Sequence, residues 1–581
     1  MTSTDVLDQP EADAPGSHDG ASVQRRTAER VVRWLGWLIP LTFFGWYLDF
    51  RMLDITRAFP LLRGDYATYI AAPNFVRHSP WLSFPIGRIP GYMAPVGTWL
   101  GQVDSFPILY PLYRVLGLAM PHRPFQLIGW ELLASMVLTF GIVRRYLRVE
   151  TLRVIDDRLR AEVVATAGAV ILLAQPFYLV HYGHPALFQM WVIPWGLIVS
   201  TRLLEARRGG DATVTIWAFL APVAAAAVLN PYLIVMLLPV MCVPVLATAR
   251  GHARQSLVWL GSALVTVAGI SWALGYVGTG GRSESDGFGL YTADAGLLFD
   301  AGRTSRTWPN LPPNLTYEGF GFPGTALLVL ILAVTVTVVV RRLRRHSSDR
   351  QGWMWPLWVG VGLAMLMAML PVIRVFDHTV LDLNPILRHF SRLTASVRTN
   401  GRLAWPLLWL IGLVTVRYLA RQPRLLVHGV LVVAALFQVI DVRRAEIQTA
   451  EDHYGTAMAV VRDAVATGIT RVEFQPPNVW TDCPAWEWGP FESIAQLVVA
   501  SAVEGLTVNS GYPSRGDDRF LRQICEEQRA AYLAGHVEPG VLYVIPYGTE
   551  PVNKALVCRP TDLNATVCRL PPDVDVTGLD G

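Results

Sequence analysis

The sequence predicts a polytopic α-helical membrane protein that ends in an exported α/β domain. Three observations carry this: the composition, the placement of basic clusters between apolar runs, and the distribution of cysteines. Of the 581 residues, 52% are hydrophobic and only 16% charged, too apolar for an ordinary soluble multidomain chain. Arginine supplies nearly all the positive charge, since Lys554 is the only lysine, and the formal net charge is only +4. No nucleic-acid partner is expected from so small a balance, and partners must be read locally.

Residues 1–30 are polar, lack apolar periodicity and end in Arg25, Arg26 and Arg30, which predicts a disordered cytoplasmic tail. The run from Val31 to Leu48 is long enough to span. It has no small-x-small cleavage site, so it reads as a retained anchor rather than a removed signal peptide. Further apolar runs near 124–143, 161–180, 186–204, 213–229, 231–248, 257–276, 322–340, 353–373, 403–416 and 425–440 bring the expected total to about eleven transmembrane helices. Between two of them only Asn230-Pro231-Tyr232 intervenes, which predicts a tight helical hairpin.

With the N-terminus inside, the clusters Arg144/Arg145/Arg148, Arg207/Arg208, Arg250/Arg254, Arg341/Arg342/Arg344/Arg345 and Arg417/Arg421/Arg424 all face the cytoplasm, as the positive-inside rule requires. An odd number of spans then exports everything after about 441. The expected division is a tail at 1–30, a membrane module at 31–441 with a large first external loop at 50–123, and an extracytoplasmic domain at 442–581. Cysteine usage tests this independently. Cys242 lies in a span, whereas Cys483, Cys525, Cys558 and Cys568 lie in the exported part, and an even count there suits disulfides in an oxidising compartment. Four cysteines allow three pairings. Cys558 with Cys568 is favoured because the two flank the turn-like "RPTDLN", which leaves Cys483 with Cys525. The stretches "YGTAMAVVRDAVATGI", "RVEFQPP" and "VLYVIPY" alternate helical and strand patterns, hence an α/β module.

Polar chemistry collects in the external loops. The first holds Asp49, Asp54, Asp65 and Asp104 together with "SFPILYPLYRVLGLAM", an apolar segment expected to lie along the interface. A later loop carries Arg388, Arg392, Arg398 and Arg402 outside, against the charge rule, with four-residue spacing within each pair. Such arginines pair with lipid phosphates or with acids of the exported domain, or they form a site for a phosphate-bearing substrate. Acids facing arginines at a membrane surface are what a lipid-phosphate sugar transferase needs: a carboxylate to take the acceptor proton and cations to stabilise the leaving phosphate.

The segments "RGDYATYIAAPNFVRHSPWLSFPIG", "VDSFPILYPLYRVL", "PFQLIGWELL", "HYGHPALFQMWVIPW", "LNPYL", "SVRTNGRLAWP" and "LFQVIDVRR" resemble, in this order from about 45 to 445, a bacterial multi-pass membrane family grouped with the GT-C glycosyltransferases. The resemblance implies an inverting transfer of a sugar from a polyprenyl-phosphate donor to a cell-envelope glycan or lipid acceptor outside the bacterial cytoplasmic membrane. It carries the catalytic base to Asp65 and a second acidic position to Asp104, which could equally cap the following segment. The family motif has a histidine four residues after its acid, whereas this chain has Tyr69 there.

His181 and His184 in "HYGHP" are candidates for the sugar pocket or for interfacial hydrogen bonding. Two histidines make a weak case for a metal, and no metal or cofactor is expected. Arg388, Arg392, Arg398 and Arg402 are the expected phosphate contacts. For Asp65 the alternative is a cap on the helix that follows it, for Asn230 a turn, and for Glu318 a place at the start of a span. The rival functional class is a polyprenyl-lipid or glycolipid flippase, which would use the same arginines without breaking a bond. A third is a non-catalytic scaffold acting through the exported domain.

Overall fold

The computed structural model describes residues 18–103, 105–209, 213–277, 288–311, 317–344, 351–387, 389, 399–477, 492–511 and 521–571. The chain is mostly helical, with two short hairpins and one five-stranded sheet, toward its C-terminal end, among the described residues. Three helices among the described residues are long and apolar enough to cross a membrane: Ala253–Ala273, Thr325–Arg344 and Asn400–Ala420. A fourth is added if Arg158–Leu173 and Pro176–Gly183, bent by 54° at their junction, count as one span.

The expected count of about eleven is therefore not supported, for physical reasons. Four of the apolar runs form helices of 14, 17, 15 and 17 residues: Ile216–Leu229, Pro231–Ala247, Trp355–Met369 and Leu425–Asp441. At 1.5 Å per residue these reach roughly 21 to 26 Å, short of a hydrocarbon core of about 30 Å. The run from Val31 to Leu48 is divided between His18–Leu35 and Leu38–Tyr47. Ile128–Leu152 is long enough at 25 residues but carries Glu131, Arg144, Arg145, Arg148 and Glu150.

Helix Ile128–Leu152 buries Ile128, Leu132, Met136, Phe140, Val143, Leu147 and Glu150, a stripe at three- and four-residue spacing. That stripe packs on Arg158–Leu173, whose start is capped by the Asp157 carboxylate accepting from the Arg160 N–H at 3.1 Å. The end of this hairpin gathers arginines expected to face the cytoplasm and supplies acids for them. Arg144 reaches Glu162 at 3.1 Å, and Arg417 reaches Glu150 at 2.7 Å and also contacts Glu205. Arg417 ends the helix that Arg402 begins, so the two lie about 22 Å apart along its axis.

The segment expected to form the first external loop folds into short helices and a hairpin. Tyr66–Phe75 forms a helix whose ten residues are all buried. Asn74 and Arg77 fasten its end: the Asn74 amide donates to the carbonyls of Ile70 and Phe125, and Arg77 donates to those of Asn74, Met120, Pro121 and Arg123. The segment expected along the interface forms helix Tyr110–Ala119, which buries Tyr110, Tyr113 and Gly117 and turns Leu112, Val115 and Leu118 outward. Between these helices runs the hairpin of β1 (Arg88–Ile89) and β2 (Thr98–Trp99). A second hairpin, β3 (Val372–Val375) with β4 (His378–Asp382), follows helix Trp355–Met369.

The C-terminal sheet comprises β5 (Arg471–Phe474), β6 (Thr507–Val508), β7 (Val541–Pro546), β8 (Val557–Pro560) and β9 (Ala565–Arg569), in the order β6-β5-β7-β9-β8. The β5 pairs with β6 and β7 are parallel, and β9 runs antiparallel to β7 and β8. Parallel neighbours need a crossover, and helix Glu492–Glu504 lies in the connection from β5 to β6. This helix packs on Tyr66–Phe75 of the first loop, while Val508 bridges to Tyr92 and the Phe59 and Tyr454 rings meet edge to face at 4.7 Å. The sheet domain and the helical module thus share one apolar core. Cys558 and Cys568 are direct partners on β8 and β9 and form a disulfide. The other expected pairing involves Cys483, which lies outside the described residues.

Reducing this disulfide, or replacing both residues in Cys558→Ala/Cys568→Ala, should lower the stability of the sheet domain by roughly 3 kcal/mol, the loop-closure value for so short a loop. Denaturant titration with and without reductant checks this: the wild type should shift further under reductant than the double variant.

Candidate functional site

Four segments far apart in sequence converge at the start of helix Asn400–Ala420. Gly64 takes φ of +54°, a left-handed turn that glycine adopts without a Cβ clash, and this delivers Asp65 to the start of helix Tyr66–Phe75. A carboxylate there could cap the helix. Its side chain instead makes no cap hydrogen bond and meets His184 Nδ1 at 2.9 Å. The other ring nitrogen of His184 faces Glu318 at 3.8 Å. Arg402 closes the chain: its Nε donates to Glu318 at 2.6 Å and its Nη2 to the second carboxylate oxygen, a bidentate fork. The Arg402 guanidinium also lies 4.9 Å from the centre of the Tyr232 ring.

Exposure is graded along this chain. Asp65 is 34% exposed at its side chain, His184 18%, and Glu318 and Arg402 9% each. Asp65 is therefore the solvent-facing end of a buried relay. Burial opposes the charge on Asp65, but the His184 ring hydrogen-bonded to it, with Arg402 behind, holds its carboxyl below the ordinary carboxylate range. Burial likewise disfavours a protonated His184, and Asp65 first and Glu318 second raise it above the ordinary histidine range. For Glu318 the desolvation penalty is outweighed by Arg402, and its carboxyl is pulled down to about 2.

Of the residues expected from sequence, Asp65, His184 and Arg402 come together. His181 is fully buried, its Nδ1 2.7 Å from the Phe177 carbonyl and its ring 4.3 Å from that of Trp405. It is thus buried against Trp405 and hydrogen-bonded within its own segment, in line with the alternative of ordinary hydrogen bonding rather than an exposed position. Arg402 gives its Nε and Nη2 donors to Glu318, so a phosphate reaching it would meet a guanidinium whose charge is already balanced. Asp104, Arg388, Arg392 and Arg398 lie outside the described residues. Asn230 is a cap, its side chain accepting from the Tyr232 N–H at 2.9 Å. From sequence alone a helix-entry role for Glu318 is not separable from a catalytic one, and Tyr232 carries no signal beyond its place in "LNPYL".

Among the described residues, no three His, Cys, Asp or Glu side chains are arranged to hold a metal ion. Chemically, the arrangement offers a carboxylate fixed in direction on a rigid helix, backed by a cation that balances its charge. Tyr69 is buried, and the histidine beside Asp65 is His184 from a different segment.

Two outcomes follow. Breaking a buried pair strands its partner, so Glu318→Gln and Arg402→Met should each cost about 3–5 kcal/mol, while the joint Glu318→Met/Arg402→Met variant should cost less than either single change; unfolding titrations of the detergent-purified protein measure all three. The Asp65–His184 pair has its own pH window. The depressed Asp65 contributes stability that is present above pH ~3.8 and is lost as pH falls below that value; the raised His184 contributes stability that is complete below pH ~6.5 and is lost as pH rises above it. Melting temperature against pH should therefore fall on the alkaline side, and His184→Asn should remove that fall.

Comparison with known proteins finds no curated relative. Residues 37–443 match the family described as Domain of unknown function (DUF6311), and residues 462–569 match the DUF6311 C-terminal domain. The first match alone covers more than half of the chain, and the protein belongs to the DUF6311 family.

Proposed function

We propose that this protein is a membrane glycosyltransferase that moves a sugar, with inversion, from a polyprenyl-phosphate donor to a cell-envelope glycan or lipid acceptor. The observation that carries the reading is the placement of Asp65: a partly exposed, ionised carboxylate at the head of a fully buried helix, oriented by His184 at 2.9 Å. An acceptor hydroxyl gives its proton to Asp65 as its oxygen bonds to the anomeric carbon. The bond from that carbon to the phosphate oxygen breaks, and the electron pair leaves with the phosphate. A carboxylate below its ordinary range is a weak base toward a resting alcohol, but it is fully ionised at neutral pH and gains strength as the hydroxyl acidifies in the transition state. His184 fixes which oxygen faces the acceptor, and the Glu318–Arg402 fork fixes His184.

In this reading the apolar helices lie in the bacterial cytoplasmic membrane with the N-terminus inside. The arginine-rich end that holds Arg144 and Arg417 faces the cytoplasm, and the disulfide-bearing sheet domain stands outside, where its bond is stable.

The test is donor turnover by the purified protein on a panel of polyprenyl-phosphate sugars with crude envelope acceptors, followed by mass spectrometry. Asp65→Asn should lower turnover by about 100- to 10,000-fold, the span for a positioned general base, with donor binding retained. An unchanged rate removes Asp65 from the chemistry. Donor binding without turnover by the wild type across the acceptor panel assigns the protein to lipid transport instead.

A further inference from the structure

The charge of Arg402 is balanced by Glu318, and the structure holds a basic cavity beside the Asp65 segment whose arginines lack such a buried carboxylate partner among the described residues. It encloses about 290 Å³, at the lower edge of ligand-sized pockets, and is lined among others by Arg51, Arg57 and Arg444, with Asp49 as its one carboxylate. Asp49 is largely engaged by its own turn: its Oδ1 accepts from the Arg51 N–H at 2.9 Å, and its other oxygen stands 3.9 Å from Arg51. The lining thus keeps an excess of guanidinium charge. Asp49 also has φ of +95°, a strained conformation for a residue with a side chain and one that tends to persist where a site is held in shape. The remaining wall is apolar, from Tyr47, Leu48, Met52 and Leu61.

The cavity lies at the end of helix Leu38–Tyr47 and is linked to the site through packed tyrosines. Tyr47 packs edge to face on Tyr182 at 6.3 Å, the Tyr182 hydroxyl donates to the Glu446 carbonyl at 3.0 Å, and the Tyr66 hydroxyl donates to the Tyr182 carbonyl at 2.9 Å. Tyr66 follows Asp65, and Tyr182 stands two residues before His184. Leu61, in the cavity wall, is four residues from Asp65, so their Cα atoms lie within about 14 Å.

We infer that this cavity binds the phosphate of a membrane-resident amphiphile, with Arg51, Arg57 and Arg444 as the anion contacts and the apolar wall receiving the start of its chain. Its assignment as the donor-phosphate subsite rests on the glycosyl-transfer reading; the binding does not. The experiment places the full chain in phosphatidylcholine nanodiscs, doped or not with undecaprenyl monophosphate, and measures binding of the dopant by native mass spectrometry and of inorganic phosphate by calorimetry. The doped lipid should bind more tightly than inorganic phosphate, and Arg51→Gln, Arg57→Gln and Arg444→Gln should each weaken it about tenfold, as expected for loss of a charged hydrogen bond. All three sites are exposed, and unchanged melting temperatures show that the variants fold. Equal affinity in the wild type and the triple variant overturns the assignment, as does inorganic phosphate binding as tightly as the lipid. Arginine-dependent binding with no sugar turnover keeps the cavity and removes the transferase, whereas Asp65-dependent turnover with arginine-independent binding does the reverse.

Discussion

A buried guanidinium that forks onto a buried carboxylate is the constraint on which the rest of the site depends. Neither Arg402 nor Glu318 could remain charged alone in so dry a place, because desolvation of one ion costs several kcal/mol. Together they are tolerated, and the surplus field of Glu318 reaches one nitrogen of His184 while Asp65 takes the other. The alternation of signs from Arg402 to Asp65 makes each charge a condition for the next. It also ties four segments to one point, which no single loop could do through its own backbone.

The sheet domain is part of this arrangement rather than an appendage. Helix Tyr66–Phe75 carries Asp65 at one end, and its flank is covered by helix Glu492–Glu504, with the Tyr92–Val508 bridge close by. A carboxylate that must hold one direction needs a support that does not move, and here the support is supplied from a part of the chain more than four hundred residues away. Asp441 plays a similar part for the loop around 305: it accepts from the Ser305, Thr307 and Thr325 hydroxyls at 2.6 to 2.8 Å. That contact joins the last apolar helix to the segment leading toward Glu318.

Several residues were legible in the sequence for reasons that remain visible in the structure. Asn230-Pro231 signalled a hairpin, and Asn230 caps the second helix of it. The spacing of Cys558 and Cys568 around a turn signalled a hairpin crosslink. Each is a local signal, decided within about ten residues by backbone sterics or short-range hydrogen bonding. The span count failed because a hydropathy run records apolar length and is blind to where prolines, caps and buried charges end a helix.

The sequence by itself determined the helical and apolar character of the chain, the α/β pattern at its end and the candidacy of Asp65, His184 and Arg402, because composition, periodicity and motif spacing are properties of neighbouring residues. Only the tertiary structure decided their partners. That His184 stands beside Asp65, that Glu318 takes the Arg402 fork, and that His181 packs on Trp405 all follow from contacts between segments separated by more than eighty residues. Charge pairing in a buried place depends on distances in space, and those distances are set by how the helices pack.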